Sequence, residues 1–155
     1  MTRVNVVRAL GAGMLMTGAA AVLAQTATPA EKAIEYRQAV FKVVARNFGP
    51  LAQSAQGKLE LQPAAARRYA ERLAQISQFA GDAFPDISRE GKTRAKPEIW
   101  TDRAGFDQLL EDLTDATRSL ASVTADATAK PDDFKAAVGA VGNACKGCHD
   151  KYREK

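Results

Sequence analysis

The stretch Cys145-Lys146-Gly147-Cys148-His149 contains both cysteines and the single histidine of this 155-residue chain. It lies near the end of a pattern in which apolar residues recur every three or four positions, as on the buried side of a helix: Phe134, Val138, Val141, Cys145, Cys148 and Tyr152. Cys-x-x-Cys-His is the spacing for covalent attachment of a c-type haem, with the imidazole next to the second thiol able to bind the iron. We therefore predict one haem c bound through Cys145 and Cys148, with His149 as the metal ligand.

Three other sites would use the same residues. A structural zinc site needs four Cys or His ligands, and the chain has three in total. A thioredoxin-like dithiol needs a thiol activated at a helix N-terminus, whereas this pair lies near a helix C-terminus, where the dipole has the opposite sign. A simple disulfide is compatible with an exported protein, but it leaves His149 without a role.

The N-terminal segment resembles a secretory signal peptide. Arg3 and Arg8, with no acidic residue, precede the apolar run 9–23, and Val22-Leu23-Ala24 offers a cleavage site. A membrane anchor is the alternative, but the run is short for a span and contains three glycines and a threonine. We predict a signal peptide at 1–24, a mature domain at 25–155 with no membrane segment, and export to a bacterial periplasm, since c-type haems are attached outside the cytoplasmic membrane.

The methionines restrict the second axial ligand of the iron. Met1, Met14 and Met16 all fall within the predicted signal peptide, so the mature protein has no methionine, and its single histidine is already assigned. A lysine, a water molecule or an empty position remains for the second side. An empty or weakly filled position is the simplest expectation.

Composition and periodicity indicate helices throughout the mature chain. The formal net charge of +4 is weak evidence about binding partners, and it does not suggest that the protein binds nucleic acid. Thr28-Pro29-Ala30-Glu31 is a capping box that begins the first helix, which Gly49-Pro50 should kink or interrupt before Gln56-Gly57 ends it. The second helix is predicted from Pro63 to about Gly81.

An irregular loop is predicted over 82–100, followed by a third helix capped by Thr101 and a fourth helix after Ala129-Lys130-Pro131. Four amphipathic helices, two of their three connections short, predict an all-α fold: an antiparallel four-helix bundle with covalent haem near the C-terminal helix.

The mature chain resembles cytochrome c-prime, the class II c-type cytochromes. The resemblance covers nearly all of it and rests on four segments: Tyr36-Arg37-Gln38, Asn47-Phe48-Gly49, Lys96-Pro97-Glu98-Ile99-Trp100 and Cys145-Lys146-Gly147-Cys148-His149-Asp150-Lys151-Tyr152-Arg153. It implies a four-helix bundle with haem attached near the C-terminus. It also implies nitric oxide binding, and dimerisation through the first two helices is common in the family.

The resemblance assigns further residues to the haem site. Arg37 and Gln38 correspond to the residues that hold the haem propionates, although the pattern alone is equally compatible with a solvated helix face. Phe41 corresponds to the bulky apolar residue over the vacant side of the iron. Arg94 is the aligned haem contact from the loop before Pro97.

Two further positions concern the surroundings of the haem. Arg153, one helical turn after His149, is either a group facing the proximal side of the iron or a surface arginine that is favourable at a helix C-terminus. Gly81 stands where some members of the family have an aromatic residue near the haem, and Phe79 is the candidate to fill that space.

These features favour a periplasmic haem protein, not an enzyme, whose five-coordinate high-spin iron binds nitric oxide and carbon monoxide. Scavenging or sensing of nitric oxide is the expected role, with electron transfer to redox partner proteins as an addition. The alternative is a dedicated low-spin electron-transfer cytochrome of the same four-helix class, which needs a strong sixth ligand. An enzyme reducing nitric oxide or peroxide would need a distal acid–base residue, and the first helix has none near Phe41.

Overall fold

A computed structural model describes residues 27–155, so the predicted signal peptide at 1–24 lies outside the described residues. Its main elements are four long helices: α1 Pro29–Ala55, α2 Pro63–Ser77, α3 Arg103–Ala125 and α4 Pro131–Tyr152. Consecutive helices contact each other, and α4 returns to contact α1. The predicted antiparallel four-helix bundle is therefore confirmed.

The N-terminus of α1 has the predicted capping box. The Thr28 hydroxyl accepts from the Glu31 N–H at 3.2 Å, and the Glu31 carboxylate accepts from the Thr28 N–H at 2.8 Å. Of the predicted kink or interruption at Gly49-Pro50, the interruption is wrong, because α1 continues through Pro50 to Ala55, and the kink stays a prediction. Leu51 in this last part is completely buried, and its packing stabilises the turns that follow the proline. The helix ends where predicted, with Gln56 as its cap and Gly57 at φ +71°.

The connection between α2 and α3 is partly helical. After α2 ends at Ser77, the chain continues as 3₁₀ turns at Gln78–Ala83 and Asp86–Ser88, and it forms one α-helical turn at Glu98–Thr101. The predicted cap at Thr101 is wrong, since that residue still belongs to the preceding turn. Asp102 caps α3 instead, and its side chain accepts from the Gly105 N–H at 3.3 Å.

Two groups of buried side chains form the core. One runs along the middle of the bundle and includes Leu51, Leu73, Leu120 and Val141. The other lies beneath the connection before α3 and is largely aromatic, with edge-to-face ring pairs from Phe41 to Tyr152 at centroid distances of 6.0, 4.8 and 5.2 Å. Within residues 27–155, no helix is long and apolar enough to cross a bilayer.

Candidate functional site

A cleft of about 570 Å³ opens between α1, α3, α4 and the segment 84–99. Its size is in the range of cofactor sites, ~300–1,000 Å³. Most of its walls are apolar side chains: Phe41, Val44, Phe48, Phe84, Ile99, Phe106, Leu109, Leu110 and Leu113. Every residue that the sequence placed at the site contributes to the lining: Arg37, Gln38, Phe41, Arg94, Cys145, Cys148, His149 and Arg153.

The two cysteines are partly buried at the cleft and are not joined in a disulfide. Burial raises the pKa of the Cys145 thiol. Burial, together with the neighbouring Cys145, raises the pKa of Cys148 to about 11. Both groups are therefore thiols at neutral pH, unlike the activated thiolate of a dithiol oxidoreductase. They face the space that a covalently attached group would fill.

His149 lies on the last turn of α4, immediately after the second cysteine. Burial, followed by the positive charges of Arg153 and Arg94, lowers the pKa of its imidazole. The neutral form, which has a free nitrogen lone pair for a metal, is thus favoured at neutral pH. In the described part of the chain, no group of three or more His, Cys, Asp and Glu residues could hold a metal ion.

Arg37 is the buried charge of the site. It is only 5% exposed on α1, and burial lowers the pKa of its guanidinium. It donates to the Thr93 hydroxyl at 2.8 Å, to the Ser88 hydroxyl at 3.0 Å and to the carbonyls of Ala83 and Ser88, both at 3.4 Å. Its ring contact is Phe84, 4.8 Å from the guanidinium carbon to the centroid. The solvated-face interpretation of Arg37 is therefore wrong.

No carboxylate is among the partners of Arg37, so its buried positive charge is not neutralised by the described residues. Since the same side chain lines the cleft, an anionic group bound there would compensate it. The acidic side chains of a porphyrin have this chemistry. The cleft thus fits a haem in three respects: its apolar walls, its thiols beside a histidine, and its uncompensated cation.

The other predicted polar residues lie at the exposed edge of the cleft. Gln38 donates to the Lys92 carbonyl at 3.2 Å. The Arg94 guanidinium donates twice to the Glu154 carbonyl, at 3.0 and 2.7 Å. A guanidinium nitrogen of Arg153 lies 3.5 Å from Nδ1 of His149, so this arginine lies against the imidazole as well as on the surface.

Sequence reasoning missed several wall residues. Phe84 is buried and contacts both Phe41 and Arg37, but it lies in an irregular segment with no periodic pattern to identify it. Lys42, next to Phe41, also lines the cleft. The prediction that Phe79 fills the space left by Gly81 is wrong, because Phe79 is 50% exposed and lies outside the lining.

Comparison with known proteins agrees with this geometry. The profile of the family described as Cytochrome C' matches residues 32–153. The chain belongs to the cytochrome c' family. It is 41% identical to cytochrome c' of Rubrivivax gelatinosus over 127 residues, which cover 79% of this chain and 95% of the relative. The structure of cytochrome c prime from Shewanella frigidimarina is similar with a TM-score of 0.78 at 32% identity, covering 84% of this chain and all of the other.

A third similar structure is a nitric oxide complex of a variant of cytochrome c prime from Alcaligenes xylosoxidans, with a TM-score of 0.74 and 32% identity over 81% of this chain and 97% of the other. Members of the cytochrome c' family bind haem c covalently. The two cysteines at the cleft of this cytochrome c', with the Cys-x-x-Cys-His spacing, agree with that cofactor. The predicted haem c is therefore confirmed.

Proposed function

We propose that this protein binds nitric oxide and carbon monoxide at the iron of its haem, with His149 on one side and no protein ligand on the other. One observation carries the proposal. Among the described residues, the walls of the cleft contain a single histidine and no methionine, while an aromatic side chain, Phe41, faces it from α1. When bound, haem supplies an iron with a coordination position that takes diatomic gases.

Each site residue then has a role in holding the cofactor. Cys145 and Cys148 hold the porphyrin covalently, and His149 binds the iron as a neutral imidazole. Arg37 and Gln38 hold the propionates through charge-assisted and amide hydrogen bonds. Residues of α4 therefore attach the porphyrin, and residues of α1 bind its propionates.

The polarity of the walls selects among gases. Bound dioxygen is strongly polar and needs a hydrogen-bond donor, whereas nitric oxide and carbon monoxide need little such help. Phe41 provides apolar surface and no donor. The nitric oxide complex of the Alcaligenes xylosoxidans relative supports the same class of ligand.

We place the mature protein in the periplasm after cleavage at Ala24 and assign it a role as scavenger or sensor of nitric oxide, with electron transfer as an addition. An enzymatic role is not part of the proposal. Arg94 and Arg153 complete the exposed edge of the site.

A homodimer through α1 and α2 is supported by Tyr36 and Val43, which lie seven residues apart on one side of α1 and are 42% and 45% exposed.

Lys42 favours a second candidate function. It is the one lysine in the lining of the cleft among the described residues, and a lysine amine is a strong ligand when it reaches an iron. A lysine-bound iron would be low-spin, and the protein would then be a dedicated electron-transfer cytochrome. Its exposed position on α1 favours a solvated ammonium instead.

Titration of the reduced holoprotein with carbon monoxide tests the proposal. We expect one carbon monoxide per haem, with the same affinity in the wild type and in Lys42→Leu, which has no ligand atom, because no protein group has to leave. An unchanged spectrum on addition of carbon monoxide contradicts the proposal. Tighter binding after Lys42→Leu would establish Lys42 as a ligand and the electron-transfer cytochrome as the function.

A further inference from the structure

Asp102 joins the start of α3 to the end of the helix that carries the haem-binding residues. Its Oδ2 accepts from the Tyr152 hydroxyl at 2.6 Å and from the Lys151 ammonium at 2.6 Å. Its Oδ1 accepts from the Gly105 N–H at 3.3 Å and so caps α3. One carboxylate therefore receives three donors, two of which belong to the last turn of α4.

The tyrosine is the buried member of this set. Tyr152 is 2% exposed, and its ring packs edge-on against Phe106 with centroids 5.2 Å apart. Lys151 and Asp102 are about half exposed, so the ion pair between them contributes little. The hydroxyl-to-carboxylate hydrogen bond holds Tyr152 against the start of α3, in addition to the packing of its ring.

The same turn of α4 is tied on its other side to the segment before α3. The Lys96 N–H donates to the Tyr152 carbonyl at 3.0 Å, and the Glu154 N–H donates to the Arg94 carbonyl at 2.8 Å. Within the turn, the Arg153 N–H donates to the His149 carbonyl at 3.2 Å. Any movement of Tyr152 is thus passed to the backbone of His149, three residues earlier.

We infer that Asp102 is a positioning residue for the iron ligand: through Tyr152, it fixes the last turn of α4 and so the direction in which His149 meets the haem iron. The inference rests on the proposed function in that His149 is the ligand. Asp102 lies outside the lining of the cleft, whereas Tyr152 contributes to that lining. Its effect on the iron is transmitted by the tyrosine hydroxyl.

Tyr152→Phe in the holoprotein tests this, since it removes only the hydroxyl and keeps the ring packing. The matched control is Asp107→Asn, which breaks the ion pair of Asp107 with Arg103 at 2.8 Å on α3. We expect Tyr152→Phe to lower and broaden the iron–histidine stretching band in resonance Raman spectra. We also expect the Arg153 amide to exchange its hydrogen about tenfold faster, as follows from the loss of one charge-assisted hydrogen bond that holds the turn. The control should change neither.

Gly105→Ala provides a second variant that removes no donor or acceptor. A Cβ at this position would lie 2.7 and 2.8 Å from the two carboxylate oxygens of Asp102 and 2.9 Å from the Tyr152 hydroxyl. Because these distances are too short for a carbon atom, at least one of these groups must shift, which disturbs the contact between the carboxylate and the hydroxyl. We expect the same change in the Raman band as in Tyr152→Phe.

The Raman band and the Arg153 exchange rate test the positioning role of Asp102 and the proposed open site separately. If the wild type shows an iron–histidine band and both variants leave the band and the Arg153 exchange rate as in Asp107→Asn, the positioning role is overturned. If the wild type shows no such band because both axial positions are filled, the proposed open site fails. The exchange rate of Arg153 then still decides whether Asp102 holds the turn.

Discussion

Replacing Arg37 by methionine tests how the site is held together, because this side chain joins α1 to the segment that covers the cleft. Methionine keeps an unbranched side chain and a similar helix propensity, so the change removes mainly the guanidinium. The substitution removes the hydrogen bonds that Arg37 donates to Thr93, to the hydroxyl and carbonyl of Ser88, and to the carbonyl of Ala83.

The four hydrogen bonds of Arg37 differ in strength. Those at 2.8 and 3.0 Å are well formed, and each contributes ~1.5–3 kcal/mol because the donor is charged. Those at 3.4 Å are weak. The variant also avoids the free-energy cost of desolvating the buried guanidinium, and this offsets part of the lost stabilisation. The Ser88 hydroxyl also keeps its own hydrogen bond to the Pro85 carbonyl at 2.7 Å. We therefore expect Arg37→Met to lower the free energy of unfolding by about 2–4 kcal/mol.

Urea unfolding of the holoprotein measures this difference. The matched control is Arg46→Met, an exposed position on the same helix, which should change the free energy of unfolding by less than about 0.5 kcal/mol. If the two variants unfold within about 0.5 kcal/mol of each other, Arg37 does not hold the covering segment, and its burial has no structural role.

Three further predictions concern the wall of the cleft, its covering segment and the junction with α4. Phe41→Ala should speed carbon monoxide binding in flash photolysis, because the half-buried ring obstructs the cleft; unchanged kinetics would count against Phe41 as the obstruction. Gly91→Ala should lower the thermal midpoint of unfolding, since φ is +127° and the new Cβ would lie 2.8 Å from a methyl carbon of α1, whereas Gly139→Ala, in open space on α4, should raise it; equal midpoints would refute the first expectation. Hydrogen bonds from Lys151, and then from the tyrosine that follows it, lower the pKa of Asp102 from 3.8 to about 2. This carboxylate therefore stabilises the fold fully above about pH 4, and the contribution disappears as the pH falls toward 2. Acid titration of Asp102→Asn should show a shallower loss of stability in that window, and an identical acid profile would contradict this.

The helices could be predicted because their signals are local. Thr28 and Glu31 form a capping box within four residues, and the prolines at 63 and 131 mark the first turns of α2 and α4. The apolar periodicity of α4 placed both cysteines on its inner side, where the structure has them partly buried at the cleft. The resemblance to the family then supplied the remaining residues of the site.

The surroundings of the site could not be predicted, because they depend on contacts between distant parts of the chain. Arg37 is buried by partners that lie 46 to 56 positions later in the sequence, in a segment with no periodic pattern. Asp102 is likewise connected to Tyr152 across 50 positions. The position of a charged residue on a helix gives no sign of such distant partners. The sequence pattern was therefore equally compatible with an exposed and a buried Arg37. The extent of α1 beyond Pro50 similarly depends on the tertiary packing of Leu51.

The absorption spectrum of the reduced holoprotein, without added ligand, reports whether the protein binds the iron from one side or from both. An iron held by His149 alone on one side and open on the other is high-spin, so we expect broad high-spin bands. Sharp low-spin bands would show a strong protein ligand on both sides and would contradict the open site.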